Sequence, residues 1–239
     1  HATGGVEEPV TPVKGSVMVT RPIVRPRSLF LVVSLALPLV CLTSCVRVSN
    51  GVWMFSEAPL PEDWPKMTPV GEVEVKQYPA YRAAVAESRE VGSGEQGPLF
   101  NELFNHIKQN DIAMTAPVEM RYDADAGETT MQSMAFVYRS QRIGEVGPDG
   151  PVNVTDIPPM TAASLGVRGS YTDQRMSESI ARLRDWLENA GAAWRPVGPP
   201  RYLGYNSPFV PSFMRYGEVQ IPVQSREVSL DGSPNPTPQ

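Results

Sequence analysis

Hydrophobic and polar positions along the chain run through the same alternation twice. In EVEVKQY (72–78), Val73 and Val75 alternate with Glu72, Glu74 and Lys76, the two-residue period of a strand. A Tyr78-Pro79 bend follows, and YRAAVAE (81–87) continues the strand. Gly97-Pro98 then opens a helix, because proline suits the first helical turn, and Leu99, Phe100, Leu103, Phe104 and Ile107 form its apolar face. APVEMRY (116–122) and MQSMAFVY (131–138) read as two more strands. The second round begins with a strand in ASLGVRGSY (163–171) and a helix over 174–190, where Met176, Ile180, Leu183, Leu187 and Ala190 keep helical spacing. RYLGY (201–205) and GEVQIPV (217–223) close it as strands.

The predicted order is therefore strand–helix–strand–strand, in tandem, with the Gly- and Pro-rich residues 139–160 joining the halves. Each half alone would leave one face of a small sheet and its helix in water. Two halves bury those faces against each other, and the crevice between them is a natural ligand site. An α+β fold follows.

The flanks differ from this body. Arg21, Arg25 and Arg27 precede the apolar run SLFLVVSLALPLVCLTSC (28–45), which Pro38 interrupts and which is shorter than the ~20 residues of a spanning helix. Its end, Leu42-Thr43-Ser44-Cys45, resembles the lipobox of bacterial lipoproteins, which implies cleavage before Cys45 and acylation of its thiol. Residues 18–44 then form a signal peptide starting at Met18, and residues 1–17 lie upstream of the true start. Val46 follows the cysteine, where an aspartate would signal inner-membrane retention, so the expected location is the cell envelope, lipid-anchored and facing the periplasm or exterior. Residues 45–67 read as tether and extension; their Trp53, Phe55 and Trp64 are unusual for a pure tether, and part of this stretch is expected to pack on the domain. Residues 225–239, ending in SPNPTPQ, read as a disordered tail.

Composition removes several functions. The two cysteines, Cys41 and Cys45, both lie in the N-terminal apolar run, so the rest of the chain has no disulfide, thiolate site or cysteine nucleophile. The only histidines are His1 and His106, which excludes a multi-histidine zinc site. The net charge is −5, and residues 1–44 are themselves positive, so the body is more acidic still and unsuited to nucleic acid. No G-x-S-x-G elbow, G-x-G-x-x-G or P-loop occurs, and an enzyme is not expected.

Three stretches carry a resemblance: VEVKQYPAYRAAV (73–85), FNELFNHIKQNDIAMTAPVEM (100–120) with its Met114-Thr115-Ala116-Pro117-Val118 core, and YNSPFVPSFMRYGEVQIPV (205–223). In that order and spacing they resemble the SOUL haem-binding family over about residues 68–224. The resemblance implies a distorted antiparallel β-barrel with two helices, built as a tandem repeat and shared with gyrase-inhibitor-like small-molecule-binding domains. It also implies haem or another tetrapyrrole as ligand, in an apolar cleft beside the first helix. The sequence departs from the family pattern in a short KQNDIA stretch before MTAPV, in Arg215-Tyr216-Gly217-Glu218-Val219 near the end, and in His106, where relatives commonly carry an aromatic.

The candidate ligand contacts are Leu99, Leu103, His106 and Ile107 on the helix, Tyr205 and Phe213 from the final motif, and Arg215 as a cation for propionates. His106 lies about 60° from Leu103 on the helical wheel, at the edge of the apolar stripe; it is either an axial haem-iron ligand or a rim histidine replacing an aromatic. Met114 and Met120 either fill core or ligate iron, and Lys108 reads as solvated charge. Glu119 and Glu218 are either a carboxylate pair or, the preferred reading, solvent-facing strand residues. The leading expectation is a monomeric, lipid-anchored haem or tetrapyrrole binder; the rivals are an envelope scaffold lipoprotein with no haem role and a small-molecule hydrolase on the same fold.

Overall fold

The computed structural model describes residues 46–88, 96–123, 129–189 and 193–226. The expected signal peptide over residues 18–44, the residues upstream of it, Cys45 and residues 227–239 of the expected tail lie outside the described residues.

Twelve strands and two helices form among the described residues: β1 (Val46–Ser49), β2 (Val52–Phe55), β3 (Val73–Tyr78), β4 (Tyr81–Glu87), α1 (Gln96–Gln109), β5 (Val118–Asp123), β6 (Thr130–Val137), β7 (Gly147–Asp149), β8 (Val152–Ile157), β9 (Met160–Arg168), α2 (Asp173–Asn189), β10 (Trp194–Pro196), β11 (Arg201–Gly204) and β12 (Tyr216–Ser225). β1 and β2 make a hairpin of their own. The other ten strands form one antiparallel sheet in the order β3-β9-β12-β11-β5-β6-β4-β8-β7, with β10 against β12. Read outward from the β11–β5 seam, β11, β12 and β9 answer β5, β6 and β4. That is the doubled unit expected from the sequence.

Prolines set what lies beyond. β3 runs into β4 through Pro79, yet β3 pairs with β9, while β4 pairs with β6 and β8. β8 runs into β9 through Pro158 and Pro159, yet lies beside β4. Each half therefore receives its outer strand from the segment that precedes the other half. Proline has a fixed φ and no N–H for a ladder, so both strands break there and change partners. This corrects two expectations. YRAAVAE does not continue the strand before it, and residues 139–160 are not a plain connection: they contain the β7–β8 hairpin, which extends the first half. The barrel expectation is corrected as well. The sheet is open, with β3 and the three-residue β7 as its two edges, and no pairing among the described residues closes one onto the other.

Both helices lie on one face. Leu99, Leu103 and Ile107 of α1 pack with Ala84, Ala86, Met120, Met134 and Phe136, and Met176 and Ile180 of α2 join the same cluster. Leu183 and Leu187 pack on Leu165, Ile221 and Val223. The opposite face is covered by the extension: Leu60, Trp64 and Met67 pack on Tyr78, Leu203, Tyr205 and Tyr216. Gly166 on β9 admits that extension, since a Cβ there would fall 2.4 Å from the carbonyl oxygens of both Thr68 and Pro69.

Candidate functional site

On the helical face, at the seam between the halves, a cleft of about 420 Å³ opens beside the start of α1. Alternation along β5 puts Val118 and Met120 on its floor, with Met134 of β6 directly across from Met120. Phe100 forms the helix-side wall, Met114 to Ala116 the next side, and Tyr171, Gly204 and Tyr205 the far side. Residues 57–59 and 206–208 make the mouth. Glu57 is the only charged residue among those lining it.

The walls are fixed by hydrogen bonds. The Thr115 hydroxyl donates to the Val137 carbonyl, and the Ala116 N–H donates to Pro59 O at 3.0 Å, tying the MTAPV segment to the extension. Trp64 Nε1 donates to the Tyr205 hydroxyl at 3.2 Å. Tyr171 meets Tyr202 edge-to-face, with centroids 4.2 Å apart, and burial pushes its hydroxyl well above the ordinary tyrosine range. On the far side of Tyr171 lies a second hollow of about 290 Å³ beside the start of α2, bordered by Arg168, Arg175, Tyr122 and Tyr202; Tyr171 and Gln96 border both.

The residues picked from sequence separate. Tyr205 lines the cleft, as do Met114 and Met120. Leu99, Leu103 and Ile107 are buried in the core under α1 instead. His106 is 6% exposed and lies outside the cleft lining. Its Nε2 is 2.6 Å from the Tyr138 hydroxyl and its Nδ1 2.8 Å from Asp149 Oδ2. Burial and Asp149 push the Tyr138 hydroxyl up to about 12; in the tautomer with its proton on Nδ1, the imidazole donates to Asp149 and accepts from Tyr138. Hydrogen bonds from Asn110 and His106 hold the Asp149 carboxyl below its usual range. Both ring nitrogens are thus engaged, with no serine at either. Phe213 is 69% exposed. Arg215 is spent within its own loop, donating from Nε to Val210 O at 2.7 Å and from Nη2 to Pro208 O at 2.5 Å. Sequence reasoning missed Tyr171, Gly204, Met134 and residues 57–59 as cleft residues. Nothing local marks the first two, because they meet only when β9 and β11 come together across β12.

Glu119 and Glu218 need a correction. They do not face solvent: their exposures are 1% and 0%. Both lie on the face that the extension covers. Lys76 Nζ is 2.7 Å from Glu218 Oε1, and the same carboxylate accepts from the Thr68 N–H at 2.8 Å and the Tyr216 hydroxyl at 2.9 Å. Glu119 takes Arg201 at 3.0 Å, Arg121 at 2.8 Å and the Tyr81 hydroxyl at 2.7 Å. The Arg201 guanidinium lies 4.8 Å from the Tyr78 ring centroid. Burial alone would raise the Glu119 carboxyl, but Arg201 and Arg121 outweigh it and hold it below the ordinary range. At Lys76 burial wins over Glu218 and lowers the amine. The arrangement is an enclosed structural network with each carboxylate saturated.

The model of the SOUL heme-binding protein family matches residues 65–222. The chain belongs to that family. No curated protein matches the chain significantly. Among solved structures, the C-terminal domain of EcmrR aligns with a TM-score of 0.52 at 17% identity, over 65% of this chain and 98% of that one. EcmrR in a DNA complex gives 0.52 at 18% identity, over 65% of this chain and 58% of that one. An uncharacterized conserved protein from Listeria innocua gives 0.50 at 11% identity, over 66% and 94%. These likenesses establish a shared fold for the SOUL domain and, at such identities, nothing about its ligand.

Proposed function

We propose that this SOUL-family chain binds haem or a related tetrapyrrole in the cleft between α1 and the β5–β11 seam, and that a lipid on Cys45 holds it in the cell envelope. The observation that carries the ligand reading is the cleft itself. Its volume of about 420 Å³ falls within the 300–1,000 Å³ usual for small-molecule sites. Its walls are aromatic and thioether, with one charged residue at the mouth. A flat apolar disc fits such walls, and methionine adapts to an irregular outline. Affinity would come chiefly from apolar area removed from water, at ~25 cal/mol per Å². Phe100, Met120, Met134 and Tyr171 would hold the disc, and its carboxylates would remain at the wet mouth near Ser207 and Asn206. A thioether can ligate haem iron, and Met114, Met120 and Met134 are the side chains placed to do so.

The test is titration of the full chain with haemin and with protoporphyrin, followed by absorbance and tryptophan quenching. Saturable binding of both, weakened by Phe100→Ala, supports the reading. Saturation by neither ligand sinks it.

A further inference from the structure

The loop that closes the cleft mouth carries two phenylalanines into open solvent. Phe209 is 95% exposed and Phe213 69%. The loop is not loose. The Glu57 carboxylate accepts from the Ser207 N–H at 2.7 Å and the Ser207 hydroxyl at 2.6 Å. Met214 N–H reaches Pro211 O at 2.8 Å. Arg215 holds the carbonyls of Val210 and Pro208, and Arg168 donates to Met214 O at 2.8 Å. Val210 points inward and is buried. A braced backbone thus presents both rings outward, Phe209 between Pro208 and Pro211 and Phe213 two residues beyond Pro211.

The start of the described chain lies at the same end. In the β1–β2 hairpin Val46 is paired with Phe55, and two residues further on Glu57 holds Ser207. A cross-strand neighbour is ~5 Å away and each residue spans at most ~3.5 Å. Val46, the first described residue, therefore lies within about 12 Å of Glu57 on those figures. The hairpin folds the incoming chain back onto the cleft mouth, where Ser207 and Pro208 form the rim.

We propose that Phe209 and Phe213 insert into the surface of the bilayer that holds the lipid on Cys45, so that the cleft mouth faces the membrane and its ligand enters from the acyl phase. This rests on the lipid-anchor reading above. A bilayer fits better than a protein partner, because two phenylalanines bury only ~150–250 Å² each, far below the ~1,200–2,000 Å² of a stable protein interface. A lipid chain joined by a second apolar contact is the combination that gives firm membrane attachment.

The experiment uses the full chain, processed in its host and reconstituted in phosphatidylethanolamine–phosphatidylglycerol vesicles with or without brominated acyl chains. Phe209→Trp and Phe213→Trp are compared with Val146→Trp, an exposed position on another loop. The fluorescence added over wild type should fall to about half or less in brominated vesicles for positions 209 and 213, given the ~5–10 Å depth of interfacial insertion. It should be unchanged for position 146. Equal emission of all three variants in both vesicles, with the intact mass showing acylated Cys45, overturns the proposal. If the mass shows Cys45 unmodified and position 209 is still quenched, the loop insertion stands and the anchor reading falls. Unquenched variants that sediment as dimers through this loop also overturn it, assigning the phenylalanines to a second copy.

Discussion

The Tyr171 hydroxyl lies so close over the backbone of Gly204 that a Cβ there would fall 2.1 Å from it. Gly204 borders the cleft, and Tyr171 is the wall between the cleft and the hollow beside α2. Gly204→Ala must therefore drive the ring aside. Overpacking of this kind costs ~1–3 kcal/mol, and the displaced ring changes the shape of the cleft. Denaturant unfolding should show the loss, and haemin affinity should change with it. Unaltered stability and affinity would deny Tyr171 its place as the wall.

His106 and Phe100 should separate cleanly. His106→Ala removes the acceptor of Tyr138 and the donor to Asp149, and should cost about 1–3 kcal/mol of stability. The Soret position of the haemin complex should stay as in wild type. Phe100→Ala should instead weaken haemin by roughly tenfold, the loss of part of one buried aromatic face. A shifted Soret band in folded His106→Ala would place the imidazole on the iron.

Glu119 supplies an acid-sensitive term. Its folded carboxyl is held below the ordinary value of 4.5. The associated stability is present above that value and is lost as the pH falls through the lower, folded one. Glu119→Gln should flatten the acid limb of a melting-temperature profile. Arg201→Met should be worse, because it removes the partner of a fully buried charge, at about 3–5 kcal/mol. The double variant should recover part of that loss. A profile that keeps its acid limb in Glu119→Gln assigns the sensitivity to other carboxyls.

At the other end of the scale, all eight tyrosines of the chain are involved. Burial raises every one of them above its ordinary value of 10.0. Between pH 10 and the folded values, the unfolded chain releases protons that the folded chain keeps, so stability falls as pH rises. Each such tyrosine contributes up to ~1.4 kcal/mol per pH unit. Tyrosinate absorbance should therefore appear in one steep step that coincides with loss of structure. A gradual, reversible titration of several tyrosines in the folded protein would contradict this.

How much of this was legible follows from what each pattern depends on. The two helices and the doubled order were readable, because periodicity is local: Leu99, Leu103 and Ile107 or Met176, Ile180 and Leu183 need only their own helix. Strand partners were not. β3 and β4 carry the same alternation on either side of Pro79, and nothing in either says that one pairs with β9 and the other with β6. Val152 and Val154 alternate too, but glycines and prolines on both sides hid them within what read as a connection. Glu119 and Arg121, or Glu218 and Gln220, have the period of a wet face, and the covering Trp64 and Met67 come from a segment with no pattern of its own. His106 read as an edge or rim residue, whereas it is buried with Leu99, Leu103 and Ile107. Its partner Asp149 stands on β7, a strand the sequence did not disclose.

The exchange of outer strands has a consequence for synthesis. β3 is among the first parts of the domain to be made, yet β9, its only strand neighbour among the described residues, begins more than eighty residues later, at Met160. Until then the nascent first half can assemble β4, β5, β6 and α1, with an alternating valine strand left dangling at its front. Pairings of such long sequence separation form slowly, and an unpaired edge is a site for association with other chains. The nascent chain therefore carries an open strand through most of its synthesis. A product truncated before Met160 would keep that strand exposed for good, because the β3 partners run from Met160 to Leu165, and quality control should recognise it by that strand.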